Sequence, residues 1–330
     1  MIAQGKTWHM TRTIGIGLAA LAVALWVAAE IGRALAATPA GEAVTVEAIA
    51  GTWLRPEGAT TGVLIVAGSG PTDRDGNSIL GIKTDAYRQL AEGLAAVGIA
   101  SLRFDKRGVG ASRAGRDGRP FDEKDVTIHT YAEDAAALAA WIGKQPGIRS
   151  VAIVGHSEGG LLALLAARRQ KVDKLVLLMS AGRPLSVILR QQFDRQPMPE
   201  ALRDAIERAI GELEKGRDAG ELKPPLDTLF RPSVQPFLKS VLAIDPAPLV
   251  KEQAAPILVI GGGGDLQIGR FDFNALVEAR AGIRSRWEPR LTHTLKEVLD
   301  DDPGQTRGYS DPSLPVMPVV IEAVAGFLKE

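Results

Sequence analysis

The 330-residue sequence contains no cysteine, which excludes disulfides, thiolate metal sites and cysteine nucleophiles. It also lacks a charge of either sign in excess. The 39 basic and 39 acidic side chains cancel, removing the usual electrostatic ground for nucleic acid or an anionic surface as a partner. Histidines number only four (His9, His129, His156 and His293), and no cluster of them offers a metal site. No metal and no cofactor is implied. Internal repeats and low-complexity tracts are absent. Uncharged apolar runs of leader length are missing too, except over residues 14–29.

That run follows Lys6, His9 and Arg12 and precedes the small-residue triplet Ala34-Leu35-Ala36. A positive flank, an apolar segment and an A-x-A site form the layout of a secretory signal peptide. The run also approaches the ~20 residues of a membrane span, so a retained N-terminal anchor is the alternative. Residues 1–39 are therefore expected to be a leader. On either reading residues 40–330 are exported, periplasmic or secreted, or tethered facing outside the cytoplasm. Any membrane contact is expected only through an uncleaved anchor.

Beyond the leader, strand and helix patterns alternate. "AVTVEAIAGTWLRP" alternates in polarity and reads as strand, and "GVLIVAG" is a continuous β-branched run of the kind buried on both faces. "TDAYRQLAEGLAAVG" has helical spacing and stops at Gly98. The strand "IASLRFD", the helix "YAEDAAALAAWIGKQP", the strand "VAIVG", the helix "EGGLLALLAARRQ" and the strand "KLVLLMSAG" follow. "PILVIGGGGD" reads as the last strand, ahead of helices over "FDFNALVEARAG" and from Val319 to Leu328. Such alternation predicts an α/β domain over residues 40–330, with a mostly parallel sheet covered on both faces. It breaks once, over residues 184–255, where a charged amphipathic helix carrying Leu202, Ile206, Ile210 and Leu213 and a proline-punctuated stretch form a helical cap insertion.

Within "VAIVGHSEGG", Gly155-His156-Ser157-Glu158-Gly159 fits G-x-S-x-G between a strand and a helix. This turn lifts a serine above the sheet at a helix N-terminus, where free N–H groups and the dipole favour developing negative charge. Ser157 is the candidate nucleophile and needs a base. His9 lies in the leader, and His156 adjoins the serine, where consecutive side chains diverge. His129 precedes a helix and reads as a surface or capping residue. His293, beyond the last predicted strand, remains as the base by elimination. Asp265 ends "PILVIGGGGD" at the same sheet edge and completes the order Ser…Asp…His. The oxyanion donors are expected to be the backbone N–H groups of Glu158 and, in the glycine-rich "AGSGPTDRDGN", of Ser69. Asp73, Arg74 and Asp75 read as a salt-bridge network stiffening that loop. Phe230, Phe237, Leu238 and Leu242 are candidate walls of a substrate pocket, or else plain core.

Together "AGSGPTDRDGN", "RFDKRGVGAS", "GHSEGG", "LFRPSVQPF" and a histidine followed by "TLK" resemble the α/β-hydrolase superfamily. Within it they resemble bacterial exported serine hydrolases of the serine aminopeptidase S33 and carboxylesterase-like group. The resemblance covers residues 43–330 and implies an α/β-hydrolase fold, with Ser157 as nucleophile, Asp265 as acid and His293 as base. It treats Asp105 and Arg107 as structural, and Thr292 stands where it leads one to expect asparagine. The implied reaction is hydrolysis of a small-molecule acyl ester through an acyl-enzyme. The alternatives are amide or peptide cleavage on the same triad, and a non-catalytic binding protein on this fold.

Overall fold

The computed structural model describes residues 41–330 apart from 116, 117, 303 and 304, so the expected leader lies outside the described residues. Among the described residues no helix is long and apolar enough to cross a membrane. The chain begins with β1 (Glu42–Val46) and β2 (Ile49–Leu54), an antiparallel pair. The sequence pattern predicts one strand here. The structure splits it because Glu47 and Ala48 take positive φ, 46° and 67°. Two successive positive-φ residues suit a tight hairpin turn, and neither is the glycine or asparagine that announces one.

The remaining strands are β3 (Thr61–Val66), β4 (Ala100–Phe104), β5 (Ser150–His156), β6 (Lys174–Leu178), β7 (Ile257–Gly262) and β8 (Arg284–Glu288). They form one eight-stranded sheet in the order β1-β2-β4-β3-β5-β6-β7-β8. The β2–β4 pairing is antiparallel, and every pairing from β4 through β8 is parallel. β3, β6 and β7 are almost wholly buried, as continuous apolar runs in a doubly covered sheet should be. One face is packed by helices Ile128–Gly143, Glu158–Ala167 and Arg270–Glu278, the other by Ala86–Ala96 and Pro318–Lys329. β8, "RSRWE", was not expected from the sequence. It is a charged edge strand paired only with β7, so its pattern carries no buried stripe.

The chain runs from β3 to β4 on one side and returns to place β5 on the other. Such a reversal opens a crevice outside the carboxyl ends of the two strands, where α/β sheets bind ligands. The loop after β3 and the turn after β5 flank it.

Between β6 and β7 lie helices Leu185–Asp194, Glu200–Glu214, Asp227–Phe230, Gln235–Leu242 and Pro246–Glu252. Ile206, Ala209, Ile210, Leu213, Leu226, Phe230, Leu238 and Leu242 form a small core of their own. Pro246–Glu252 instead sends Leu249 and Val250 into the main core.

Candidate active site

β5 ends at His156, and the next helix starts at Glu158, so Ser157 alone makes the turn, at φ 56° and ψ −123°. A non-glycine residue held there stores about 1–3 kcal/mol of strain. The surrounding glycines show why the turn is feasible. A Cβ on Gly155 would lie 2.1 Å from the Gly159 carbonyl oxygen, and one on Gly159 would lie 2.3 Å from that of Val66. The Ser157 N–H donates to the Leu178 carbonyl at 2.9 Å, pinning the turn to the neighbouring strand. Glu158 opens its helix, so its N–H has no partner within that helix.

Asp265 and His293 follow β7 and β8 at this same edge. His293 Nδ1 lies 2.8 Å from Asp265 Oδ2. The other carboxylate oxygen, Oδ1, accepts the backbone N–H groups of Gln267 and Ile268 at 2.7 and 2.9 Å. Asp265 is thus fixed on both oxygens, and its side chain is fully buried. His293 sits in a tight loop closed by Thr292, whose N–H and hydroxyl both donate to the Lys296 carbonyl at 2.9 Å. Leu295 in that loop takes φ 65°. Thr292, the departure from the family pattern, therefore supports the histidine by closing its loop.

Among the described residues no hydrogen bond joins Ser157 Oγ to His293. Contacts of this kind are often long without substrate. His156, beside Ser157 in the chain, contacts the loop that bears His293. Its Nε2 lies 2.7 Å from the His293 carbonyl oxygen, and the two imidazole centroids are 4.9 Å apart. A carbonyl only accepts, so Nε2 carries the proton. His156 Nδ1, 2.7 Å from Tyr87 Oη, then accepts from that phenol. Tyr87 Oη in turn accepts the Gly68 N–H at 3.1 Å. One wire thus ties the loop after β3 to the loop bearing His293. His129, by contrast, is exposed in the first turn of a helix that Thr127 caps. Sequence reasoning set His156 aside as a base, and nothing in the pattern signalled this wire.

Burial, reinforced by His293, pushes His156 down to about 3. In the unfolded chain it titrates near ~6.5. As pH falls below that value the unfolded chain takes up a proton that the folded protein refuses until about pH 3. Folding stability is lost through this window by about 1.4 kcal/mol per pH unit, or about 2 kcal/mol between pH 6.5 and 5. Urea unfolding at pH 7 and pH 5 should show that acid loss in the native chain and a correspondingly shallower one in His156→Gln. Equal losses in both would remove His156 as the source.

The loop after β3 is anchored, but not as a mutual network of its own charges. Asp73 Oδ1 accepts the N–H groups of Asp75 and Asn77, forming a turn. Arg74 reaches Asp105 with two guanidinium bonds at 3.0 and 2.7 Å, and Asp75 pairs with Arg103. The partners come from β4 and its end, which sequence separation concealed. Arg107 makes a buried bidentate pair with Asp134 at 2.9 and 2.7 Å, a structural role.

Beneath this loop Lys106 is buried, donates to the Gly68 carbonyl at 2.6 Å and lies 3.9 Å from Glu158 Oε1. That oxygen is buried and accepts no hydrogen bond. Burial pushes the Glu158 carboxyl up and the Lys106 ammonium down, and each opposes the other's shift. Glu158 therefore turns inward to a lysine. Of the four expected pocket walls, Phe230, Leu238 and Leu242 are used up in the insertion's own core, Phe230 at 0% exposure. Phe237 is only partly buried and packs edge-on against Tyr131, ring centroids 5.9 Å apart. Among the described residues no group of acidic and histidine side chains could hold a metal ion.

Comparisons with known proteins bear on this geometry. A family model described as serine aminopeptidase, S33, matches residues 80–202. The esterase EstD of Thermotoga maritima is 29% identical over 236 residues, spanning 69% of this chain and 53% of EstD. The chain thus covers about half the length of that curated relative. Est1E from Butyrivibrio proteoclasticus, solved with ferulic acid bound, superposes with a TM-score of 0.56 at 18% identity, covering 87% of this chain and 98% of Est1E. The Pyrococcus furiosus esterase PF2001 gives 0.55 at 16% identity, covering 90% and 92%. At such identities the structural likeness establishes the fold.

Proposed function

We propose, on the α/β-hydrolase fold that this chain shares with the solved esterases, that it is a serine hydrolase cleaving carboxylic esters through an acyl-enzyme. The observation that carries the reading is the 2.8 Å contact between His293 and an Asp265 held on both oxygens, at the sheet edge where Ser157 turns. Asp265 keeps the proton on His293 Nδ1, leaving the Nε2 lone pair to take the proton of Ser157 as Oγ attacks the acyl carbon. The oxyanion is received by the N–H groups of Glu158 and Ser69. Collapse returns the proton from His293 to the departing alcohol. Water, deprotonated by His293, then releases the acid and restores Ser157. Phe237 and Tyr131 are the proposed apolar contacts for the acyl group. The likeness to EstD supports an ester substrate.

The test is the intermediate itself. With a short p-nitrophenyl ester, rapid mixing should release p-nitrophenol in a burst of about one equivalent per chain wherever deacylation is slower than acylation. A fluorophosphonate should add one adduct, mapped to Ser157. No turnover of esters and no adduct would end the reading. Amide cleavage on the same residues is the second reading, favoured by the description of the matching family model. Faster cleavage of aminoacyl anilides than of the matching esters would select it.

A further inference from the structure

The Gly68–Ser69 peptide lies against the nucleophile, since a Cβ placed on Gly68 would stand 3.1 Å from Ser157 Cβ. The Gly68 N–H is taken by Tyr87 Oη. Among the described residues the Ser69 N–H donates to no protein acceptor, so it is the free donor next along the loop. In a trans peptide the carbonyl and N–H point opposite ways. Whatever fixes the Gly68 carbonyl therefore aims the Ser69 N–H. Lys106 Nζ grips that carbonyl at 2.6 Å.

Building on the serine-hydrolase reading above, we propose that Lys106 is a positioning residue that locks the Gly68–Ser69 peptide with its N–H turned to the oxyanion, Glu158 serving as its buried counter-charge. A glycine-rich loop is free to flip such a peptide, and a flipped one would present a carbonyl to the developing anion. The ammonium removes that freedom. It also polarises the peptide from its carbonyl end, which strengthens the N–H as a donor. Its placement explains two otherwise costly features: a lysine buried behind the loop, and a buried Glu158 oxygen with no hydrogen bond. The lysine cannot be near the loop without being dehydrated, and the carboxylate keeps its charge tolerable there. Gly68 is thus held at both its polar groups, by Tyr87 on one side and Lys106 on the other.

The experiment compares wild type, Lys106→Met and the double variant Lys106→Met/Glu158→Gln, all as the full chain, on a p-nitrophenyl ester. The double variant carries no orphaned charge, so it guards against misfolding in the single one, and thermal unfolding reports the state of each. Expected is a fall in kcat of about 10²–10³-fold, the effect of losing one oxyanion donor, with KM within about threefold of wild type. Fluorophosphonate labelling should slow in parallel, because it passes through a similar charged state. Lys106→Arg, which can still donate to the carbonyl, should recover part of kcat. The inference is overturned if kcat persists in either folded variant. It is equally overturned if the double variant regains wild-type kcat, which would assign the loss to an unbalanced Glu158. If wild type itself turns over no ester, or turnover survives in Ser157→Ala, the hydrolase reading fails instead.

Discussion

Ser157→Ala is expected to lower kcat on esters by about 10⁴-fold or more and to abolish both the burst and the fluorophosphonate adduct. The size follows from what the substitution removes and what it leaves. Without Oγ no acyl-enzyme can form, and His293 has no proton to take. By the proposed mechanism the N–H groups of Glu158 and Ser69 would still receive the carbonyl oxygen, so a residual acceleration over the uncatalysed reaction should persist through direct attack by water. The fold should be indifferent. Alanine meets the same positive φ as serine, and the turn is held by the backbone bond from residue 157 to Leu178, not by the hydroxyl. Steady-state rates, with titration of active sites in the wild type, measure the effect. Undiminished turnover in a folded Ser157→Ala chain would transfer the nucleophile elsewhere and take the triad with it.

How much of this was readable in advance depends on where each contact sits along the chain. The parallel strands β3, β5, β6 and β7 were legible because burial on both faces leaves largely uninterrupted apolar runs. Ser157, Asp265 and His293 could be named as candidates because a parallel sheet brings the ends of its strands to one edge, and of these the structure joins Asp265 to His293. The β1–β2 hairpin was not, since Glu47 and Ala48 adopt positive φ without the residues that favour it. Nor was β8, whose partner lies on one side only and whose arginines face water.

Pairings across the fold escaped for a different reason. Arg74 with Asp105, Lys106 with Gly68 and His156 with both Tyr87 and His293 are set by side-chain direction where strand ends, loops and the helix Ala86–Ala96 converge. Composition and periodicity carry no record of that direction. The pocket residues show a complementary limit. An amphipathic stripe reveals that Phe230, Leu238 and Leu242 are buried, but not that their companions are Ile206, Ile210 and Leu213.

Asp265→Asn should be nearly as damaging as loss of the serine, and the structure shows why so small a change suffices. Oδ1 accepts two backbone N–H groups, from Gln267 and Ile268, so an asparagine must place its carbonyl oxygen there. Its NH₂ then occupies the position of Oδ2, 2.8 Å from His293 Nδ1 in the native chain. An NH₂ group only donates, so Nδ1 must become the acceptor and the imidazole proton moves to Nε2. The ring stays in place with its proton on Nε2, the nitrogen proposed to deprotonate Ser157. A fall in kcat of about 10⁴-fold is expected, with KM little changed, since nothing that contacts substrate has moved. Because the defect is a misplaced proton, rates should climb at alkaline pH, where hydroxide can do the work of the base. Asp265→Ala, which frees His293 to rotate and leaves Nδ1 without a partner, should show comparable loss with a lower thermal midpoint. If Asp265→Asn instead retains more than about a tenth of native kcat, the 2.8 Å contact does not set the tautomer. Another acid would then have to serve His293.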